Sequence, residues 1–190
     1  MAHFIEVLFI GLMLSSTYIL IATGFTLFFG AIDIVHFAHG DVAMLGAFIG
    51  IMLYFLAESS GLTQVLPMWL WSPGVILATL ILTGVLGLLF ERMVIKPFRD
   101  SPMLIILVAT VALGIIIRES VRLFYPEGSN PQVFPQLFPQ SGIHLGPLYF
   151  RTGHIMIFGI SILLILGMIL FINRTKIGLT IRAISQNIEA

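Results

Sequence analysis

Residues 62–90 read LTQVLPMWLWSPGVILATLILTGVLGLLF, a run without one Asp, Glu, Lys or Arg. A helix needs about 20 mainly apolar residues to cross a hydrocarbon core of ~30 Å, and this run exceeds that length. Backbone exposed to lipid must satisfy its own hydrogen bonds, and the run lacks the polar/apolar alternation of a barrel strand. It reads as a membrane-spanning helix.

Working outward, further charge-free windows fall at 7–32, 42–57, 101–117 and 152–173. The windows at 42–57 and 101–117 are shorter, and each extends to a charged terminus, Glu58 or Arg118, whose side chain can snorkel to the interface. The expected fold is therefore all-α, a polytopic integral membrane helix bundle of about five helices forming one transmembrane domain over 1–190. Their expected positions are near 5–30, 38–58, 73–92, 102–122 and 153–173. The composition agrees: 58% of the residues are hydrophobic and 9% charged, against about 45–50% and about 25% in ordinary soluble domains.

The same composition excludes other classes. A formal net charge of zero leaves no basic footprint for nucleic acid. The absence of cysteine removes disulfide frameworks, thiolate nucleophiles and Cys-based metal sites. The first apolar run follows Glu6 rather than Lys or Arg, so it reads as a retained helix and not as a cleaved signal peptide.

Residues 125–151 carry Pro126, Pro131, Pro135, Pro139 and Pro147 among Gly, Ser, Asn and Gln, which stop helices repeatedly and mark an aqueous loop. Lys and Arg in short loops favour the cytoplasm. Arg92, Lys96 and Arg99 form one cluster and Arg174, Lys176 and Arg182 another. Two helices separate the clusters, so both fall on the cytoplasmic side, with the Pro-rich loop and the N-terminus outside. Arg118, Glu119 and Arg122 then approach the outer surface against the simple rule, as interface anchors for their helix.

The stretch from Gly30 to Asp41 sets Asp33, His36, His39 and Asp41 between apolar runs. As an ordinary turn it is wet and its residues are solvated. As a break in a membrane helix near mid-depth it is functional, because ionisable groups inside a membrane mark substrate or ion pathways. Gly30 and Gly40 would loosen the backbone, and freed amides would meet a substrate carboxylate. Asp33, His36, His39, Gly40 and Asp41 are the candidate pathway residues. Two His and two acids without a third strong ligand group do not make a metal site, and neither a metal nor a cofactor is expected. Gly46 and Gly50 form a small-xxx-small pattern that allows close helix approach. No nucleophile stands beside a base and no Gly-rich phosphate loop is present, so enzymatic chemistry is not expected and any ATP is bound by another chain.

Gly24-Phe25-Thr26-Leu27-Phe28-Phe29-Gly30, Phe37-Ala38-His39-Gly40-Asp41 and Met44-Leu45-Gly46-Ala47-Phe48 together resemble the N-terminal signature of LivH-type branched-chain amino acid permeases. Glu91-Arg92 with Lys96-Pro97-Phe98-Arg99 resembles the family's basic cytoplasmic loop. Gly178-Leu179 and the run from Arg182 to Ala190 resemble its coupling segment.

The resemblance implies a permease subunit of an ABC importer in the bacterial inner membrane, moving branched-chain amino acids. It implies a second related permease, two cytoplasmic ATP-binding subunits and a periplasmic solute-binding protein as partners. It also implies that Arg182, Ala183, Gln186, Asn187, Glu189 and Ala190, within a cytoplasmic segment 174–190, dock on the ATPase. His36 stands where the family usually has Asn, which leaves room for a different cargo. Family members continue through further helices, so the chain is expected to be the N-terminal part of a longer product. The alternatives are a urea or short-chain amide permease, or an autonomous channel or secondary transporter that uses the ionisable residues between 33 and 41. A purely structural membrane subunit is the remaining class.

Overall fold

The computed structural model describes residues 2–32, 35–126, 128, 130–138, 141–145 and 148–186. Five long helices dominate: α1 (Ala2–Ile32), α2 (His39–Ser59), α4 (Met68–Phe90), α5 (Met103–Phe124) and α6 (Thr152–Arg174). All five are long and apolar enough to cross a membrane. The fold is an all-α polytopic membrane fold, as the charge-free windows imply. Two short helices, α3 (Leu62–Val65) and α7 (Lys176–Gln186), and a hairpin of β1 (Gly142–Leu145) and β2 (Leu148–Arg151) complete it.

Chain contacts divide the structure into two compact units, 35–137 and the pair 1–34 with 138–190. In the first unit α2 packs against both α4 and α5. Gly46 and Gly50 are buried on α2. A β-carbon at Gly46 would stand 3.1 Å from the Thr83 side chain, and one at Gly50 3.5 Å from that of Thr79, both on α4. The absent side chains let these helices approach closely, which is what packing between membrane helices requires.

Pro67, in an extended conformation, precedes α4, and its carbonyl accepts from the Leu70 and Trp71 amides at 2.9 and 3.3 Å. The helix thus begins at Met68 and carries Pro73 within it, whereas the sequence places its start at Pro73 itself. It continues through a π turn (Glu91–Ile95) and a 3-10 turn (Lys96–Phe98). Exposed Arg92, Lys96 and Arg99 stand on this extension and its cap. Gly61, between α2 and α3, has a φ of 78°, the left-handed region that glycine enters without steric penalty.

The buried residues of α5 are Ile106, Thr110, Leu113, Gly114, Ile117 and Val121. They recur at three- and four-residue spacing and form a single stripe. Leu113 and Ile117 meet Ala38 in an apolar cluster to which Val42, Leu45, Phe90 and Val94 add.

In the second unit α1 packs along α6, and the hairpin and α7 pack on these helices. Phe9 meets Phe150 of β2 edge to face at 4.7 Å between centroids. The hairpin pairs Gly142 with Arg151 and Ile143 with Phe150. It lies inside the stretch that proline content marks as loop, because Ile143 and Phe150 suit a paired strand.

Between α6 and α7, the Thr175 hydroxyl accepts from the Gly178 amide at 3.0 Å, a side-chain cap on the first turn of α7. Thr175 also donates to the Phe171 carbonyl at 2.7 Å, which ties the cap to the end of α6. Gly178 is buried there, and a β-carbon on it would collide with the Ile172 backbone.

Candidate functional site

The break between α1 and α2 is seated on α5. The Phe37 amide donates to Thr110 Oγ1 at 3.3 Å, and the Thr110 hydroxyl in turn donates to the Leu107 carbonyl at 2.9 Å. Thr110 is fully buried. A chain that leaves helical geometry releases backbone groups, and in membrane helices Ser and Thr side chains satisfy them. Thr110 does so for Phe37. The His39 amide bonds the His36 carbonyl at 3.2 Å, closing the turn that starts α2.

One turn beyond Thr110 is Gly114, whose missing side chain leaves room for Asp41; a β-carbon there would collide with Asp41 Oδ2. One turn further, Arg118 Nε lies 3.3 Å from Asp41 Oδ1. Thr110, Gly114 and Arg118 therefore form an i, i+4, i+8 row on one face of α5: one holds the backbone of the break, one makes space and one pairs the carboxylate. Side-chain exposure is 56% for Arg118 and 19% for Asp41, so the pair is open on the arginine side. Arg122 pairs separately with Glu119 at 3.3 Å within the same helix.

Depth follows from helix geometry. The 22 residues of α5 span about 33 Å, and Thr110 and Gly114 lie roughly 10 and 16 Å from its first residue. Phe37 to Asp41 thus sit beside the middle of a helix long enough to cross the membrane, not beside its end.

Of the sequence-derived pathway residues, His36 is buried, His39 and Asp41 are half-buried and Gly40 is exposed. Among the described residues neither Gly30 nor Gly40 has an atom within reach of a β-carbon, and close approach makes its demand at Gly114. Asp33 lies outside the described residues. Arg118, assigned from sequence to interface anchoring, takes part in the site through Asp41, and Thr110 and Gly114 were not singled out. The available signal was the four-residue spacing of Thr, Gly and Arg in an otherwise apolar helix.

About one helical turn beyond the ion pair, along α2 and α5, lies an apolar hollow of about 250 Å³ that includes Ser120 in its lining. Leu45, Phe48, Ile49 and Met52 line it from α2, and Val121 and Phe124 from α5. Phe48 and Tyr125 close one side edge to face, 4.8 Å between centroids. Among the described residues no group of three or more His, Cys, Asp and Glu side chains is placed to hold a metal ion.

The other candidate residues lie in and beyond α7. Arg182 and Ala183 are exposed on it, and Gln186 is its last residue. Asn187, Glu189 and Ala190 lie outside the described residues.

Residues 7–190 match the family described as branched-chain amino acid transport system, permease component. The chain is 30% identical over 98% of its length to the high-affinity branched-chain amino acid transport system permease protein BraD of Pseudomonas aeruginosa. It is 29% and 28% identical, over the same share, to the corresponding LivH proteins of Salmonella typhimurium and Escherichia coli K12. It spans 61% of the length of the first and 60% of the other two. No solved structure matches the chain. By its match over nearly all its residues and by its five apolar helices, the chain belongs to the family of branched-chain amino acid transport permease components.

Proposed function

We propose that the chain is a multi-pass permease subunit of an ABC importer in the bacterial inner membrane, with branched-chain amino acids as its cargo. The observation that carries this reading is the family match over residues 7–190, together with relatives whose own names specify that transport. A second related permease, two cytoplasmic ATP-binding subunits and a periplasmic binding protein complete the machine. The chain itself makes and breaks no bonds. ATP-driven closure of the ATPase pair moves the coupling helices, and the permease pair opens outward to take solute from the binding protein.

Within this scheme the segment 33–41 belongs to the solute path. A charged pair that is half-open within a spanning helix, with Arg118 roughly 22 Å along the ~33 Å of α5, is costly against lipid and favourable against water or a polar solute. The exposed side of Arg118 and Asp41 supports a pathway wall at that edge of α5. At the other end, α7 and the residues up to Ala190 form the ATPase-docking segment, with Arg182, Ala183, Gln186, Asn187, Glu189 and Ala190 at the contact. Capping by Thr175 and the tight seat of Gly178 suit a helix that must transmit force, because they fix its direction relative to α6.

The test is reconstitution of the complete permease with its partner permease, ATPases and binding protein in proteoliposomes, following ATP-dependent uptake of labelled leucine and urea. Leucine uptake that requires ATP, and is lost when Arg182 and Glu189 are replaced, supports the reading and its coupling segment. Uptake of urea alone moves the cargo to the short amides. Flux that persists without ATP or partners overturns the ABC assignment in favour of a channel or secondary transporter.

A further inference from the structure

The ion pair and the apolar hollow beside it have the arrangement of a receptor for one small molecule. We propose that Asp41 and Arg118 bind the ammonium and the carboxylate of a zwitterionic amino acid, and that the hollow between α2 and α5 receives its aliphatic side chain. This rests on the importer reading and assigns the residues that would read the cargo.

Three observations converge. The first is charge. Asp41 Oδ1 and Arg118 Nε stand 3.3 Å apart, with the arginine side open. Inserting a zwitterion exchanges one ion pair for two, carboxylate on guanidinium and ammonium on carboxylate, and leaves no charge unpaired. A neutral amide would part the same two ions without replacing either partner. A solute with a single charge would leave one of them bare. The guanidinium also presents its donors in a fork that matches a carboxylate.

The second is the position of the hollow. Leu45 and Ile49 follow Asp41 by one and two turns of α2, and Val121 follows Arg118 by about one turn of α5. At about 5.4 Å per turn, the hollow begins one turn from the pair. An α-amino acid carries ammonium, carboxylate and side chain on a single carbon, and these three arms meet three neighbouring receptors of matching character.

The third is lining and size. About 250 Å³ faced mainly by Leu45, Phe48, Ile49, Met52, Val121 and Phe124, with Ser120 and Tyr125 as its polar members, suits a branched aliphatic group. Gly114 is part of the design, since a β-carbon there would push the Asp41 carboxylate off its place beside Arg118.

The experiment uses the complete transporter in proteoliposomes with its binding protein unchanged throughout, and reads the ratio of ATP-dependent leucine uptake to alanine uptake. Both rates come from the same vesicles, so the ratio does not depend on how much transporter is folded. Ile49→Phe fills the hollow and lowers the ratio about tenfold, the scale on which apolar pockets discriminate one or two methylenes. Met52→Ala, at an exposed position that tolerates truncation, enlarges the hollow and moves the ratio the other way. Arg118→Gln removes uptake of both amino acids, and Arg118→Lys restores part of it.

A ratio unchanged in both hollow variants overturns the proposal, including the case in which a lipid acyl chain fills the space. Leucine uptake insensitive to Arg118→Gln overturns it as well. Absence of ATP-dependent leucine uptake by the unmodified transporter is a different outcome, because it removes the importer reading itself.

Discussion

Helices α5 and α6 are alike in length and both read as spanning segments, yet they pack differently within the chain. α6 is the most apolar of the five long helices, and only 6% of its most apolar stretch is buried, against 33% for α5. Ser161 is the one described residue of α6 that is buried, while α5 buries a six-residue stripe. Apolar content therefore reports contact with the membrane, and small or polar residues repeating at helical spacing report contact with other helices. In lipid the hydrophobic effect does not distinguish a neighbouring helix from an acyl chain, so close fit and hydrogen bonding have to do so. Thr110 and Gly114 supply both on α5.

The comparison is broken most severely at Gly114. Gly114→Leu drives a side chain into the space of Asp41 and separates it from Arg118. Overpacking alone costs about 1–3 kcal/mol, and the displaced carboxylate adds to it. The expected outcome is loss of leucine uptake and a lowered unfolding midpoint for the purified complex, followed by thermal melts in detergent. Wild-type stability and uptake in this variant would mean that the α2–α5 seat is not as tight as its geometry implies.

The end of α6 allows a second test, because this helix does make one demanding contact. Gly178→Ala forces the first turn of α7 away from the Ile172 backbone. On the proposal that α7 docks on the ATPase, the expected outcome is that ATP-driven uptake drops severalfold, by about 1 kcal/mol of lost coupling energy, while the complex still assembles. ATP hydrolysis and uptake measured on the same vesicles separate these outcomes, since a merely unstable variant lowers both together.

What the sequence made legible follows the same division. The five spans could be read because three charge-free runs exceed twenty residues and the two shorter ones, 42–57 and 101–117, reach that length with a snorkelling charged end. The third span, expected near 73–92, begins at Met68, with Pro67 before it and Pro73 carried inside. The hairpin was hidden by the prolines around it. Residues 36–41 were recognised as unusual because charge among apolar runs is conspicuous, but their partners were not. Phe37 and Thr110 are 73 residues apart, and no local pattern relates them. Arg118 was assigned to the interface from its place near a helix end, which holds for a helix whose neighbours are level with it; α2 begins beside the middle of α5.

A smaller effect is expected at Thr110. Thr110→Val keeps the shape and removes the hydroxyl that accepts from the Phe37 amide. Hydrogen bonds between membrane helices average about 0.6 kcal/mol and reach roughly 1.7, and the amide freed here is a backbone group. A reduction of about 1 kcal/mol in stability is expected, with amide exchange quickened at Phe37 and Ala38 and not along α2. Exchange confined to those residues would identify Thr110 as the clasp of the break. Exchange spread along α2 would show that the hydroxyl holds the whole helix.

The smallest effect sharpens the comparison most, because it asks whether α6 is as unconstrained within the chain as it looks. Gly159 and Gly167 have nothing within 4 Å of an added β-carbon. Leu is also a better helix former than Gly by somewhat under 1 kcal/mol. Gly167→Leu should therefore leave the isolated permease unchanged or slightly more stable, where the same substitution at Gly114 is severe. A melt of the isolated chain tests that directly. Repeating it on the assembled transporter adds information, since a glycine that is open in one chain and intolerant in the complex must face a neighbouring subunit, while one that tolerates leucine in both faces lipid. Destabilisation of the isolated chain by Gly167→Leu would mean instead that α6 is packed within it, and that the contrast with α5 is smaller than burial indicates.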